Sequence, residues 1–228
     1  MTELNNTPYK LSPMEINDLI NEAQRRYGDI SPVHLARSLD VVYAALSHFP
    51  RVCAMRVDVR MAQDFTGDNT DMPSCFQRAD PNVITRFFDS LKSQLRADHQ
   101  RKCARGIPQL PKYIWVRERD KGRYPHYHLI LLFNKDIYAY LGDYSDPDAI
   151  NMATRVQKAW CSALGLHYPD YAYLVHFPKN PVYSFDRRAK LSDISTYKGF
   201  LLRLAYLSKV RTKHVRDGQR NFGCSQIR

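Results

Sequence analysis

Two histidines that flank one tyrosine, His126 and His128 in the segment PHYHLILLF, are the residues of this sequence best suited to chemistry. On a β-strand, residues two apart project to the same face, so the two imidazoles would stand side by side and chelate a metal ion. Two exposed histidines on an edge strand can also bind nothing. The surrounding residues make a metal site the better interpretation.

A carboxylate precedes the histidines at a suitable spacing. Glu118 lies near the end of the strand-like run KYIWVRER, and the segment DKGRYP between this run and His126 contains a glycine, which predicts a hairpin. The hairpin brings Glu118 level with the histidines if it shares their face. Two imidazoles and one carboxylate with open positions suit Mg²⁺ or Mn²⁺ better than a closed zinc site. Glu118 could instead be a surface partner of Arg117 or Arg119.

Phosphodiester cleavage at such a site also needs a nucleophile, and a tyrosine hydroxyl conserves the bond energy in a covalent phosphotyrosine. The chain has 15 tyrosines. Tyr206 lies near the end of an amphipathic helical pattern, with Lys209 three residues later on about the same face. A lysine there would stabilise the phosphorane charge, favour tyrosinate or protonate a departing oxygen. Alternatively, Tyr206 is a packing residue and Lys209 an exposed solubilising residue.

The net charge of +11 indicates a polyanionic partner. The basic residues of the chain are concentrated toward the C-terminus. Tyrosine and arginine side chains together are suited to stacking on unpaired bases. The same charge disfavours a metal-dependent hydrolase of a small substrate. We predict that four basic residues of this segment contact a nucleic-acid backbone: Arg211, Lys213, Arg216 and Arg220. Alternatively, the segment is a flexible polyelectrolyte tail.

The order of predicted elements gives an α+β domain. Two helices begin at Ser12 and Ser31, each serine being followed by proline. The remaining pattern predicts an antiparallel sheet of about five strands with helices mainly on one face. We expect an N-terminal helical segment over 1–48 ahead of the main domain over 49–228. No regular structure is predicted after Lys209.

Nothing in the sequence indicates a membrane protein. No run approaches the roughly 18 consecutive apolar residues that span a bilayer, and the first residues lack an apolar signal core. The five cysteines look unpaired, which is typical of a reducing compartment, and none forms a CxxC pair, which argues against a structural zinc site made of cysteines. We therefore expect the protein in the cytoplasm.

The sequence from Glu118 through HYHLILL, followed by the helix with Y-L-S-K at Tyr206 to Lys209, resembles the HUH endonucleases, which initiate rolling-circle replication of plasmids, phages and small DNA viruses. The segments LVHFPKNPVYSF and KVRTKHVRDGQRNFGCSQ are similar to the YagK/YfjJ family, initiator-like proteins of enterobacterial prophages and phage satellites grouped with inovirus-type initiators. The resemblance covers Arg51 to Gln226. It implies a nuclease domain over 49–228 with an HUH core of the RRM or ferredoxin-like type.

The resemblance also implies roles for the residues of the motifs. His126 and His128 correspond to two metal ligands and Glu118 to a third. Tyr206 corresponds to the nucleophile and Lys209 to its motif partner.

Two further residues are implied less directly. Asp58, which could also pair with Arg56 or Arg60, resembles the carboxylates that orient a metal histidine. Many phage initiators carry two tyrosines on this helix, which makes Tyr197 the alternative nucleophile. Because Tyr197 lies nine residues before Tyr206, the two would not share a helix face, and a single-tyrosine enzyme is favoured.

The function implied is nicking and rejoining of single-stranded or hairpin DNA at a replication origin. The intermediate would be a 5′-phosphotyrosine, and the free 3′-hydroxyl would serve a polymerase. A host helicase and polymerase are candidate partners in the bacterial host cytoplasm. The alternative is a non-cutting DNA-binding regulator of replication or transcription on the same scaffold.

Overall fold

The computed structural model describes residues 9–62, 77–103, 105–119, 124–188, 194–211, 213 and 217–227. The predicted hairpin turn at Gly122 lies outside these residues. The described helices and strands are, in chain order, α1 (Pro13–Tyr27), α2 (Pro32–His48), β1 (Arg51–Arg60), α3 (Val83–Arg101), β2 (Lys112–Glu118), β3 (His126–Asn134), α4 (Met152–Leu164), β4 (Val175–His176), β5 (Val182–Asp186), α5 (Ile194–Tyr206) and β6 (Phe222–Cys224).

The first two helices begin where the Ser-Pro signals predict them. The Ser12 side chain accepts a hydrogen bond from the backbone N–H of Glu15, and Ser31 does the same for His34. Each bond satisfies one of the amide groups that a helix leaves unpaired at its start. The proline that follows has no N–H to satisfy. Local sequence therefore sets both helix starts.

Six strands of the described part form one sheet, and every pairing in it is antiparallel. β1 pairs with β3 along one edge and with β5 and then β4 along the other. β2 pairs with β3 on its inner edge and with β6 on its outer edge. The predicted α+β class with an antiparallel sheet is confirmed. The strand β6 was not predicted, because it lies after Lys209, where no regular structure was expected.

Helices pack against both faces of the sheet, so the expectation that they cover mainly one face is corrected. In β1 the odd-numbered side chains, such as Met55 and Val57, enter one core together with α3 and α4. The even-numbered Val52 and Ala54 enter a second core together with α1, α2 and α5. The period-two alternation of a strand separates these two sets. The face of the second core also carries His126, His128 and Glu118. Each is an even number of residues from a strand residue of that core, such as Ile130 in β3 or Val116 in β2.

The N-terminal helices contribute to this second core. Leu35 and Leu39 of α2 are buried there with Ile130 and Leu132 of β3. The boundary between residues 48 and 49 stays a prediction. None of the described helices is long and apolar enough to cross a membrane.

A buried aspartate joins α3 to α4 behind the first core. The Asp98 carboxylate is 3% exposed and accepts from Arg155 at 2.7 Å and from the Tyr138 hydroxyl at 3.3 Å. Lys102 lies 2.9 Å from it. Although burial alone raises the pKa of Asp98, Lys102 and Arg155 outweigh burial and hold it below its ordinary value. Asp98 is therefore ionised in the folded protein at neutral pH.

Replacing Asp98 should destabilise the protein in a pH-dependent way. Asp98→Asn leaves the buried Arg155 without its carboxylate, and we expect a loss of about 3 kcal/mol in the free energy of unfolding near neutral pH. Because the folded pKa lies below the unfolded value of about 3.9, the wild-type advantage is present above that value and is lost as pH falls through the folded pKa. Urea unfolding of both proteins at about pH 7 and about pH 3 measures this. An equal difference at both pH values would contradict the role of Asp98.

Candidate metal centre

The β2–β3 hairpin brings the three predicted ligands together. Glu118 is the last residue of β2 and lies opposite His126, the first residue of β3. His128 follows two residues later, so all three side chains project from the same face. Glu118 Oε2 lies 3.9 Å from His126 Nε2 and 3.5 Å from His128 Nε2. Ligand atoms of the three residues all lie within 4.8 Å of one another.

This donor set fits a divalent ion. Glu118 is 1% exposed and His128 is 7% exposed, while the His126 side chain opens toward solvent. Nε2 of His128 is buried and has no hydrogen-bond partner within the described residues. A buried ring nitrogen without a partner is rare and fits a metal ligand. Two nitrogens and one carboxylate oxygen leave positions for water or phosphate oxygens, as Mg²⁺ or Mn²⁺ requires.

A second carboxylate orients His128. Asp58 of β1 lies opposite His128 of β3, and its Oδ1 is 2.6 Å from His128 Nδ1. This contact makes Nδ1 the donor and leaves Nε2 available to a metal, as is usual for histidines that bind metals. Asp58 also pairs with Arg56 at 3.3 Å. The orienting role and the arginine pair, which were alternatives in the sequence, therefore occur together.

The charges around His128 favour a cation. Burial alone raises the pKa of Asp58, but the hydrogen bond with His128 and the charge of Arg56 lower it overall. Burial alone lowers the pKa of His128, whereas Asp58 and Glu118 raise it above the ordinary value. A divalent ion would compete with the proton that these carboxylates otherwise hold on the imidazole.

The predicted nucleophile and its lysine adjoin these ligands. α5 ends at Tyr206, and Lys209 lies in the turn that follows. Lys209 Nζ donates to the Tyr206 hydroxyl at 2.7 Å and lies 2.9 Å from Glu118 Oε2. The Tyr206 ring packs edge-to-face against His128 with 5.7 Å between centroids. Lys209 is therefore not an exposed solubilising residue, and it connects Tyr206 to Glu118.

Tyr197 lies elsewhere. It is 2% exposed in the second core and packs against Tyr9, Phe185 and Phe200. Burial raises the pKa of its hydroxyl far above the ordinary value. Nine residues of helix put Tyr197 and Tyr206 on opposite faces, so only Tyr206 adjoins the candidate ligands.

The predicted phosphate-contacting residues occupy different environments. Arg211 and Arg220 are exposed, and Arg216 lies outside the described residues. Lys213 is 7% exposed, donates to the carbonyls of Leu207 and Lys209, and lies 4.0 Å from Glu118 Oε1. Burial lowers the pKa of its ammonium to about 8. The structure thus places Lys213 behind the candidate ligands, where it holds the turn after α5, and not on a DNA-facing surface.

The tail that contains these residues is attached to the sheet. Arg117 pairs with Asp217 at 2.5 Å on the face opposite Glu118, and β6 pairs with β2. Arg117 is therefore engaged by Asp217, and Glu118 faces the histidines. For the described residues 217–224, this attachment argues against a flexible polyelectrolyte tail.

Two residues at the site were missed by the sequence analysis. Arg56 lies with its guanidinium carbon 5.1 Å from the centroid of the Tyr206 ring, and Tyr27 packs edge-to-face on that ring at 5.2 Å. The sequence contained a signal that could have placed Arg56 at the site, because strand alternation puts it on the same face as Asp58. Tyr27 had none, because its contact depends on how α1 packs against α5.

Removing one candidate ligand should weaken metal binding. In His128→Ala we expect affinity for Mn²⁺ to fall at least roughly tenfold to a hundredfold, since even changes behind a metal ligand have effects of this size. Titration calorimetry measures it. His167→Ala is the matched control, because His167 is an exposed histidine that pairs with Asp170. Equal binding by both variants would show that the ion lies elsewhere.

Lys209 should oppose metal binding, because its ammonium already neutralises Glu118. Lys209→Met keeps the length of the side chain and removes the charge, and we expect affinity for Mn²⁺ to rise roughly tenfold, given the size of screened charge interactions at this distance. Lys198→Met, an exposed lysine of α5, should have no effect. Weaker binding by a folded Lys209→Met protein would contradict this prediction.

Comparisons with known proteins agree with the resemblance in the motifs. The YagK/YfjJ C-terminal domain model matches residues 14–225, a region that begins in α1 and thus earlier than Arg51. YagK of Escherichia coli K12 is 42% identical over 185 residues, 79% of this chain and 86% of that protein. YfjJ of the same strain is 37% identical over 205 residues, 88% of this chain and 97% of that protein. No solved structure shows significant similarity. The chain therefore belongs to the YagK/YfjJ family.

Proposed function

We propose that this protein nicks and rejoins single-stranded DNA at a replication origin through a covalent 5′-phosphotyrosine at Tyr206, as HUH endonucleases do. One observation carries the proposal. The Tyr206 hydroxyl, the Lys209 ammonium and the Glu118 carboxylate form a continuous polar chain of 2.7 Å and 2.9 Å contacts that ends at the two histidines. A nucleophile and a candidate metal site are thus adjacent.

Each residue of the site has a part in the reaction. A divalent ion bound by His126, His128 and Glu118 would supply positive charge to the scissile phosphate. Asp58 holds the His128 ring in the orientation that presents Nε2. Lys209 stabilises negative charge on the Tyr206 oxygen during attack.

The bonds and protons balance in this scheme. The Tyr206 Oη–phosphorus bond forms and the bond from phosphorus to the 3′ oxygen breaks. The phenol gives up one proton to solvent, and the departing oxygen takes up one to become a 3′-hydroxyl. A polymerase would extend that hydroxyl, and the reverse reaction would rejoin the strand.

The burial of the polar residues supports an enzyme over a non-cutting regulator. Glu118, His128, Asp58 and Arg56 are all at most 9% exposed, and burying charged groups destabilises a fold unless they are paired. A protein that only binds DNA gains nothing from such a cluster beside a tyrosine. The net charge of +11 supports a nucleic-acid substrate.

Replacing the nucleophile should abolish the covalent product. With Mn²⁺ and single strands that cover the DNA flanking its own gene, we expect wild-type protein to form a denaturation-resistant adduct with 3′-labelled strands and not with 5′-labelled ones. Tyr206→Phe should form at least about a thousandfold less, because no hydroxyl remains to attack.

Tyr197→Phe is the matched control on the same helix. Its hydroxyl is buried and has no hydrogen-bond partner among the described residues, so its removal should leave the fold and the adduct intact. An adduct that survives Tyr206→Phe and disappears in Tyr197→Phe would make Tyr197 the nucleophile. No adduct with Mn²⁺ or Mg²⁺ on any of these strands would favour the non-cutting regulator.

A further inference from the structure

An open cleft of about 700 Å³ lies beside Tyr206. One wall is the end of α1 and the turn after it, residues 26–29. The other wall is Tyr206 with residues 209–211. The cleft therefore joins the N-terminal helices, for which the sequence indicated no role, to the proposed nucleophile.

Backbone hydrogen bonds fix the two walls relative to each other. Ser31 N–H donates to the Ser208 carbonyl and Val210 N–H donates to the Asp29 carbonyl, each at 2.8 Å. Ile30 and Lys209 pair as an isolated antiparallel bridge between these bonds. Gly28 ends α1 with a φ of 78°, a value that glycine adopts without the strain of other residues. The turn before α2 is thus attached directly to the turn after α5.

The lining suits a nucleotide. Arg26 and Arg211 are exposed and line opposite walls. Lys209 lines the wall of Arg211, and Asp29 is the one acidic residue in the described lining. The Arg26 pair with Glu22 at 2.5 Å is on the surface, where such pairs contribute little. The half-buried Tyr27 ring, held edge-to-face by Tyr206, offers an aromatic surface for a base.

We infer that this cleft binds the segment of single-stranded DNA next to the scissile phosphate, with Arg26 and Arg211 contacting phosphates and Tyr27 stacking on a base. The inference rests on the proposed function, because it takes Tyr206 as the point where the strand is cut. It makes the N-terminal helices part of the substrate site. A small anion would need the arginines but not the aromatic surface, and a duplex would present no unpaired base to Tyr27.

DNA binding without cutting tests the cleft. The full chain in EDTA would be titrated, at several salt concentrations, against a fluorescein-labelled oligothymidylate of about 20 nucleotides, long enough to exceed the roughly 4–16 nucleotides of typical single-strand sites. Arg26→Ala and Arg211→Ala should each weaken binding about threefold to tenfold, and each should reduce the slope of log affinity against log salt by about 0.7. Arg25→Ala is the matched control, an exposed arginine of α1 that does not line the cleft.

Tyr27→Leu separates stacking from charge. It should weaken single-strand binding severalfold and leave the salt slope unchanged, because no phosphate contact is lost. Thermal melting of the three arginine variants should match wild type, since these arginines are exposed.

Binding by Arg26→Ala and Arg211→Ala equal to that of Arg25→Ala would overturn the inference, as would an equal loss on duplex DNA of the same length. Failure of the proposed function looks different. In that case no adduct forms with any metal, while the oligothymidylate titration still shows whether Arg26→Ala and Arg211→Ala bind single strands more weakly than Arg25→Ala.

Discussion

The buried carboxylate of Glu118 is the constraint on which the site depends. Removing a carboxylate from water costs several kcal/mol unless cations and donors surround it. Here Lys209 lies 2.9 Å away, His128 3.5 Å and Lys213 4.0 Å. These cations come from β3 and from the chain after α5. One carboxylate therefore connects the β2–β3 hairpin to the chain after α5, and a metal ion bound by Glu118 and His128 would supply the positive charge that the lysines supply here.

The position of the site follows from the sheet. The face of the sheet that meets the second core is apolar along β2 and β3. Its side chains there, Ile114, Val116, Ile130 and Leu132, are buried together with apolar residues of α2 and α5. Nearer the end of β2 and the start of β3, the side chains on this face are polar: Glu118 and His128. The apolar core thus excludes water from one side of the charged cluster, and charge interactions are stronger beside such a low-dielectric wall.

Membership of the YagK/YfjJ family extends over both N-terminal helices, because the matched region begins at residue 14. The structure gives a physical reason to regard them as part of one unit with the sheet. α1 and α2 share the second core, and the turn between them is hydrogen-bonded to the turn after α5. A change in the packing of α1 would therefore reach Tyr206 through Tyr27.

The sequence by itself determined the features that depend on short-range geometry. Period-two alternation is enough to put His126 and His128 on one face, and helix spacing alone separates Tyr197 from Tyr206. The face of Glu118 was decided by the pairing of β2 with β3. Only the tertiary structure decided which charged residues are buried. Lys213 resembles any other basic residue of the tail, yet it is buried, because the distant Glu118 and the nearby carbonyls of Leu207 and Lys209 solvate its ammonium. Tyr27 and β6 are of the same kind. Their contacts join segments distant in the chain, and no local pattern records such contacts.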